Sequence, residues 1–212
     1  GWLFRSYLAI LKASGILKLD LEALDALRKE RGLIVAPNHP SLLDAVLVIS
    51  RLPDITCIMK AEIWDSPVLG GGARLAGYIR NDSASKMIRH ATNALRAGYQ
   101  LLVFPEGTRT RRRPVNAFKG GFALIAKKSG VPIQTVFIET NSEFLRKGWP
   151  ILKRPPMPLT YRARLGRRFH VEGKVKDFVR EIENYYRMEI GPDLSSKEAP
   201  AVLPSRSPSP AP

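Results

Sequence analysis

The sequence predicts an α/β domain: a central mixed, largely parallel sheet flanked by helices, with amphipathic helices at its N-terminus. Two observations carry that prediction. Short apolar runs alternate with stretches of helical period along most of the chain. The 212 residues are 44% hydrophobic, enough for one sizeable core. The single cysteine, Cys57, excludes a disulfide framework and a Cys-rich metal site. No internal repeat is present.

The opening "GWLFRSYLAILKASGILKL" sets Phe4, Leu8 and Leu11 on one helical face, joined by Leu3, Tyr7 and Ile10, with Arg5 and Lys12 on another. Two readings stay open: a helix in a membrane interface, or a helix packed on the domain's own core. It falls short of the roughly 18 to 20 apolar residues of a spanning helix, and its interrupting charges make it a poor signal peptide. The chain opens on Gly1 rather than methionine, which leaves room for a preceding segment that holds an anchor.

"LEALDALRKERG" reads as a second amphipathic helix stopped by Gly32. "LIVAP" is a short buried strand. "SLLDAVLVIS" is a helix, with Pro40 suited to its first position. "ITCIM" is a strand. "AEIWDSPVLGGGARLAG" is helical at both ends and broken by Pro67 and its glycines, and "YIR" is a short strand. "SASKMIRHATNALRAG" is a helix with a serine start and a glycine stop. "QLLVF" is a strand, "GGFALIAKKSG" a helix and "VPIQTVFI" a strand. "LTYRARLGRRFHVEG" forms one or two edge strands. "VKDFVREIENYYRM" closes the domain as an amphipathic helix. The expected organisation is N-terminal helices over 1–31, a catalytic domain over 32–190 and a disordered Pro/Ser-rich tail over 191–212.

Two stretches carry chemistry. In "NHPSLLD", His39 follows a strand and stands at the start of a helix, and Asp44 lies a little over one turn inside. A carboxylate there can orient the imidazole and stabilise its protonated form, making His39 a general base. The competing reading is a capping histidine and a solvated acid. Asp44 sits among apolar residues, however, and needs a partner. The second stretch, "FPEGTRTRRR", follows "QLLVF" directly, at a strand end where α/β sheets bind ligands. Pro105 and Gly107 make a tight turn, and Glu106 is expected to face the crevice or to serve as a structural acid. Thr108 offers a hydroxyl, and Arg109 offers a planar fork to phosphate. At least two of Arg111, Arg112 and Arg113 read as a solvated loop. His90 and His170 are expected to be structural or exposed.

Together the two stretches resemble the N-H-x4-D and F-P-E-G-T-R signatures of the glycerolipid acyltransferases, the PlsC-like family. The resemblance covers residues 15 to 190. "MKAEIW" resembles that family's K-x-E-L stretch, which implies a phosphate-region role for Lys60. "FKGG" resembles the basic-glycine step, which implies one for Lys119. "GYIRND" is a shortened form of the glycine-to-arginine motif, which sets Arg80 at the place of an acceptor-binding arginine. Thr135 stands where a proline is common. The resemblance implies transfer of a fatty acyl group from acyl-CoA or an acyl carrier protein to a lysophospholipid, most simply 1-acylglycerol 3-phosphate. His39 would be the base and Asp44 its orienting partner, with neither a metal nor a cofactor. Backbone groups around Gly107 are candidates for the developing oxyanion.

The net charge of +15 implies an anionic partner. An anionic membrane surface suits it, at the cytoplasmic face of the inner membrane. A nucleic-acid-binding module would explain the charge but not the paired motifs, and no signature of one is present, so no nucleic acid is expected. The remaining alternatives are a lyso-ornithine lipid acceptor, a thioester hydrolase, and a non-catalytic membrane-binding relative.

Overall fold

The computed structural model describes residues 2–65, 71, 74, 77–81, 83–111, 114–150 and 153–191. Helix α1 (Trp2–Ala13) leads into strand β1 (Leu17–Asp20) and a 3₁₀ helix (Glu22–Leu27). Then come β2 (Ile34–Pro37), α2 (Leu43–Arg51), β3 (Ile55–Lys60), α3 (Ala61–Trp64) and β4 (Ile79–Asn81). They are followed by α4 (Ala84–Arg96), β5 (Gln100–Leu102), α5 (Gly121–Ser129), β6 (Ile133–Thr140), β7 (Leu159–Phe169) and α6 (Val175–Ile190). The seven strands form one sheet in the order β1-β7-β6-β2-β5-β3-β4. β2 to β6 run parallel, β7 is antiparallel to β6, and β1 is parallel to β7. This is the mixed, largely parallel sheet that the alternation of strands and helices predicts.

Strand alternation divides the core between the two faces of the sheet. Val35 packs with α1, the 3₁₀ helix and α2 on one face. Its neighbours Ile34 and Ala36 pack with α4, α5 and α6 on the other. The end of β2 is pinned from below, where the buried Tyr186 hydroxyl of α6 donates to the Ala36 carbonyl.

Three expectations are corrected. The second amphipathic helix is a 3₁₀ helix instead. Leu21, Leu24 and Leu27 recur every third residue, which matches three residues per turn, and all three are buried. Gln100 closes its end by donating to the carbonyls of Leu27 and Glu30. The residues before it, "LKLD", belong to the sheet as β1. β7 is therefore an interior strand rather than an edge, with Leu17 beside Leu159 and Asp20 beside Arg162. Finally, α2 starts at Leu43, so Pro40 lies in the turn before the helix rather than at its first position.

The α1 question has a divided answer. Leu8 is buried, with Phe4 and Leu11 packed beside it on the core, and Arg5 Nε donates to the Ser50 carbonyl at 2.7 Å. Tyr7 and Ile10 remain outside, 48% and 68% exposed. Among the described residues no helix is long and apolar enough to cross a membrane.

Thr135 has a local role that proline could not fill. The β6–β7 register shifts between Gln134 and Val136. Across that irregularity Thr135 Oγ1 donates to the Arg167 carbonyl at 2.7 Å, and Gln134 Nε2 to the Gly166 carbonyl at 2.7 Å. Most of "AEIWDSPVLGGGARLAG" beyond Asp65, Arg112, Arg113 and the tail from residue 192 lie outside the described residues.

Candidate active site

β2 pairs with β5 on one side and β6 on the other, all parallel. The segments that leave β2 and β5 therefore emerge side by side at the same end of the sheet. One carries Asn38–Asp44 and the other Phe104–Arg109.

Asn38 extends the ladder with its side chain. Its Nδ2 donates to the Ile138 carbonyl at 3.0 Å, and its Oδ1 accepts the Ile138 N–H at 2.7 Å. The main chain is thereby fixed one residue before His39. His39 Nδ1 lies 3.0 Å from Asp44 Oδ2, and the same oxygen accepts the Ser41 N–H at 2.7 Å. Asp44 is fully buried in the first turn of α2, and among the described residues its Oδ1 has no partner. Burial pushes its carboxyl up from 3.8 to about 6, against the opposing bond and charge of His39. An ionised Asp44 makes Nδ1–H the donor and leaves Nε2 as the free acceptor.

The second stretch holds His39 from three sides. The Phe104 ring stacks on the imidazole, centroids 3.8 Å apart and planes 17° from parallel. Glu106 Oε1 accepts the His39 N–H at 3.1 Å, and the Thr110 N–H donates to the His39 carbonyl at 2.7 Å. Glu106 does not face the crevice. It is 1% exposed, with Oε1 also accepting Thr110 Oγ1 at 2.6 Å and Oε2 accepting the Asn116 N–H at 2.8 Å. Three inward donors outweigh solvent here, so the expected substrate contact is corrected to a structural brace. Burial raises its pKa and those bonds oppose the rise.

That geometry predicts the effect of Glu106→Gln. An amide NH₂ at either oxygen position would meet a main-chain N–H, from His39 or from Asn116. The variant is expected to lose about 1–3 kcal/mol of stability. Denaturant unfolding measures this, and a midpoint equal to that of the natural sequence would contradict the brace.

Gly107 takes φ +67° and donates its N–H to the Phe104 carbonyl at 2.9 Å, closing the turn. That N–H is therefore engaged within the loop. A Cβ on Gly107 would lie 3.2 Å from Lys119 Cδ, so the lysine stem runs over the turn. Thr108 Oγ1 accepts Lys147 Nζ at 3.1 Å. Arg109 Nη1 donates to the Leu145 carbonyl at 2.7 Å and to that of Arg146 at 3.4 Å.

His39, Asp44, Glu106, Gly107, Thr108, Arg109 and Lys119 thus gather at one place. Arg80 stands apart on the edge strand β4, its Nη2 2.7 Å from Asp65 Oδ2. Lys60 ends β3, and its side chain lies outside the described residues. The bracing roles of Thr110, Asn116 and the 141–147 loop gave no signal in the sequence, because each depends on a hydrogen-bond partner that only folding brings into reach.

Residues 18–139, more than half the chain, match the family model described as Acyltransferase. The chain belongs to the acyltransferase family. As an acyltransferase-family chain it is 30% identical over 165 residues to the 1-acyl-sn-glycerol-3-phosphate acyltransferase of Limnanthes douglasii, covering 74% of this chain and 58% of that protein. It is 34% identical over 122 residues to the lyso-ornithine lipid O-acyltransferase of Pseudomonas aeruginosa, covering 56% of this chain and 45% of that protein. The chain therefore spans about half the length of these relatives. In fold the acyltransferase chain is similar to the crystal structure of the 1-acyl-sn-glycerophosphate acyltransferase PlsC from Thermotoga maritima. The TM-score is 0.69 at 22% identity, over 88% of this chain and 76% of that one.

Proposed function

We propose that this chain transfers a fatty acyl group from a thioester to the free hydroxyl of a lysophospholipid, with 1-acylglycerol 3-phosphate as the acceptor and phosphatidic acid as the product. The His39–Asp44 pair, locked beside Thr108 and Arg109, supports this reading most directly. His39 Nε2 takes the proton of the acceptor hydroxyl as its oxygen attacks the thioester carbonyl. Asp44 holds the ring and stabilises the imidazolium. The tetrahedral adduct collapses, the C–S bond breaks, and the thiolate of coenzyme A or of an acyl carrier protein leaves with the proton from His39. No acyl-enzyme is needed. Thr108, Arg109 and Lys119 receive the acceptor's phosphate. The test is product analysis by mass spectrometry with 1-oleoylglycerol 3-phosphate and acyl-CoA. Phosphatidic acid supports the reading, and free fatty acid alone would replace it with hydrolysis. The Pseudomonas relative favours a second acceptor, a lyso-ornithine lipid, in the same assay.

The chain is also proposed to work on an anionic membrane at its cytoplasmic face. β1 starts beside Leu159, near the end of β6 where Thr140 faces Tyr161. α1 therefore ends on the same side of the sheet as the dyad, and its exposed Tyr7 and Ile10 are available to a lipid surface. Removing residues 1–19 would take most of β1 with them, so point changes are the better probe. The pair Tyr7→Ser and Ile10→Ser is expected to weaken binding to phosphatidylglycerol vesicles by about tenfold. Unchanged co-sedimentation would rule this face out.

A further inference from the structure

The loop joining β6 to β7 belongs to neither motif, yet it fastens both. The Leu145 carbonyl accepts the Leu42 N–H at 3.2 Å and Arg109 Nη1 at 2.7 Å. One oxygen thus receives the histidine stretch and the arginine stretch together. Leu145 adopts φ 59°, a left-handed conformation that is uncommon for a leucine and that directs this carbonyl. The preceding carbonyl, of Phe144, accepts Ser41 Oγ at 3.1 Å, so the loop also supports the residue whose N–H holds Asp44. The placement of residues 144 and 145 carries Lys147 to the junction of the two motifs. There Lys147 Nζ donates to Thr108 Oγ1 at 3.1 Å. Arg109, whose guanidinium reaches the consecutive carbonyls of Leu145 and Arg146, is the residue after Thr108.

We propose that Lys147 is a specificity-determining residue: with Thr108 and Arg109 it forms the site for a phosphate-monoester head group and disfavours an acceptor whose head group ends in an amine. The inference rests on the acyltransferase reading and decides between its two acceptors. A phosphate dianion gains from an ammonium point charge beside a guanidinium fork, and the hydroxyl between them supplies a further bond. The terminal ammonium of an ornithine head group would meet two like charges at the same place. Lys147 Nζ bonds the Thr108 hydroxyl of the arginine stretch, so it is assigned to acceptor choice rather than to proton transfer.

The experiment compares the natural sequence with Lys147→Met and Lys147→Arg, using oleoyl-CoA and either 1-oleoylglycerol 3-phosphate or a lyso-ornithine lipid. The natural sequence is expected to prefer the phosphorylated acceptor. Lys147→Met should raise the KM for that acceptor on the order of tenfold, while kcat and the KM for oleoyl-CoA stay within twofold. The preference over the lyso-ornithine lipid should shrink accordingly, and Lys147→Arg should restore most of it. An unchanged KM in Lys147→Met would overturn the inference, as would an equal loss with both acceptors or a natural preference for the lyso-ornithine lipid. The acyltransferase reading itself would still stand in those cases. Failure of the natural sequence to acylate either acceptor would instead overturn that reading, and the inference with it.

Discussion

Replacing His39 with alanine is expected to slow acyl transfer by roughly 10²–10⁴-fold while the fold persists. The rate falls because, among the described residues, His39 is the side chain bonded to Asp44 that offers an acceptor nitrogen. The fold persists because the bonds that hold this residue are main-chain ones, its N–H to Glu106 and its carbonyl from Thr110. The buried Asp44 would lose its hydrogen-bond partner at Oδ2, and burial already raises its carboxyl to about 6. In the variant it takes up a proton at neutral pH rather than remaining as a buried unpaired charge. Circular dichroism and thermal melting check the fold, and single-turnover kinetics check the rate. A folded variant within tenfold of the natural rate would remove His39 from the mechanism.

Asp44→Asn separates orientation from charge. The amide oxygen can accept both the Ser41 N–H and the His39 Nδ1–H, as Oδ2 does. The NH₂ would occupy the place of Oδ1, which already lacks a partner. Transfer is expected to fall by roughly a hundredfold or more, since the imidazolium loses its counter-charge. The stability prediction runs the other way. The carboxyl pKa is raised in the folded chain, from 3.8 to about 6, so the folded state holds this proton more tightly than the unfolded one. The contribution from this group is therefore full below the ordinary value of 3.8 and is lost as pH rises to about 6. Asparagine does not titrate, so at pH 7.5 the variant is expected to be at least as stable as the natural sequence. Its stability should also lack this group's decline between those pH values. Denaturant unfolding across that range reads both features, and a clear destabilisation at pH 7.5 would contradict them. The natural enzyme's rate should also drop as pH falls below about 6, where Asp44 protonates. If Asp44 acts through His39, the double variant will be no slower than His39→Ala alone.

Several features were legible along the chain. The helical period of "SKMIRHATNALR" and "VKDFVREIENYYR" reports a buried stripe, and α4 and α6 follow it. The apolar runs "LIVA" and "QLL" report strands covered on both faces, and β2 and β5 are those strands. Because both motifs directly follow these runs, their position at the ends of strands was also readable. Local period reveals which face of an element is buried, and turn residues reveal where it stops.

Pairing and the direction of polar side chains are different, because they depend on partners remote in sequence. Only the assembled sheet could show that "LKLD" is its edge and that β7 lies inside, since a strand's place is set by hydrogen bonds to another segment. The direction of Glu106 was open for the same reason. Its donors come from His39, Thr110 and Asn116, and once those N–H and O–H groups are buried the carboxylate must turn inward to satisfy them. The 141–147 loop shows the same dependence on folding. Nothing in "NSEFLRK" marks it, yet folding brings the Leu145 carbonyl to both motifs and Lys147 to Thr108. The sequence alone determined the two motifs and the strands that bear them. The tertiary structure decided which charged groups face the crevice, because desolvation and hydrogen-bond satisfaction are settled between segments, not within them.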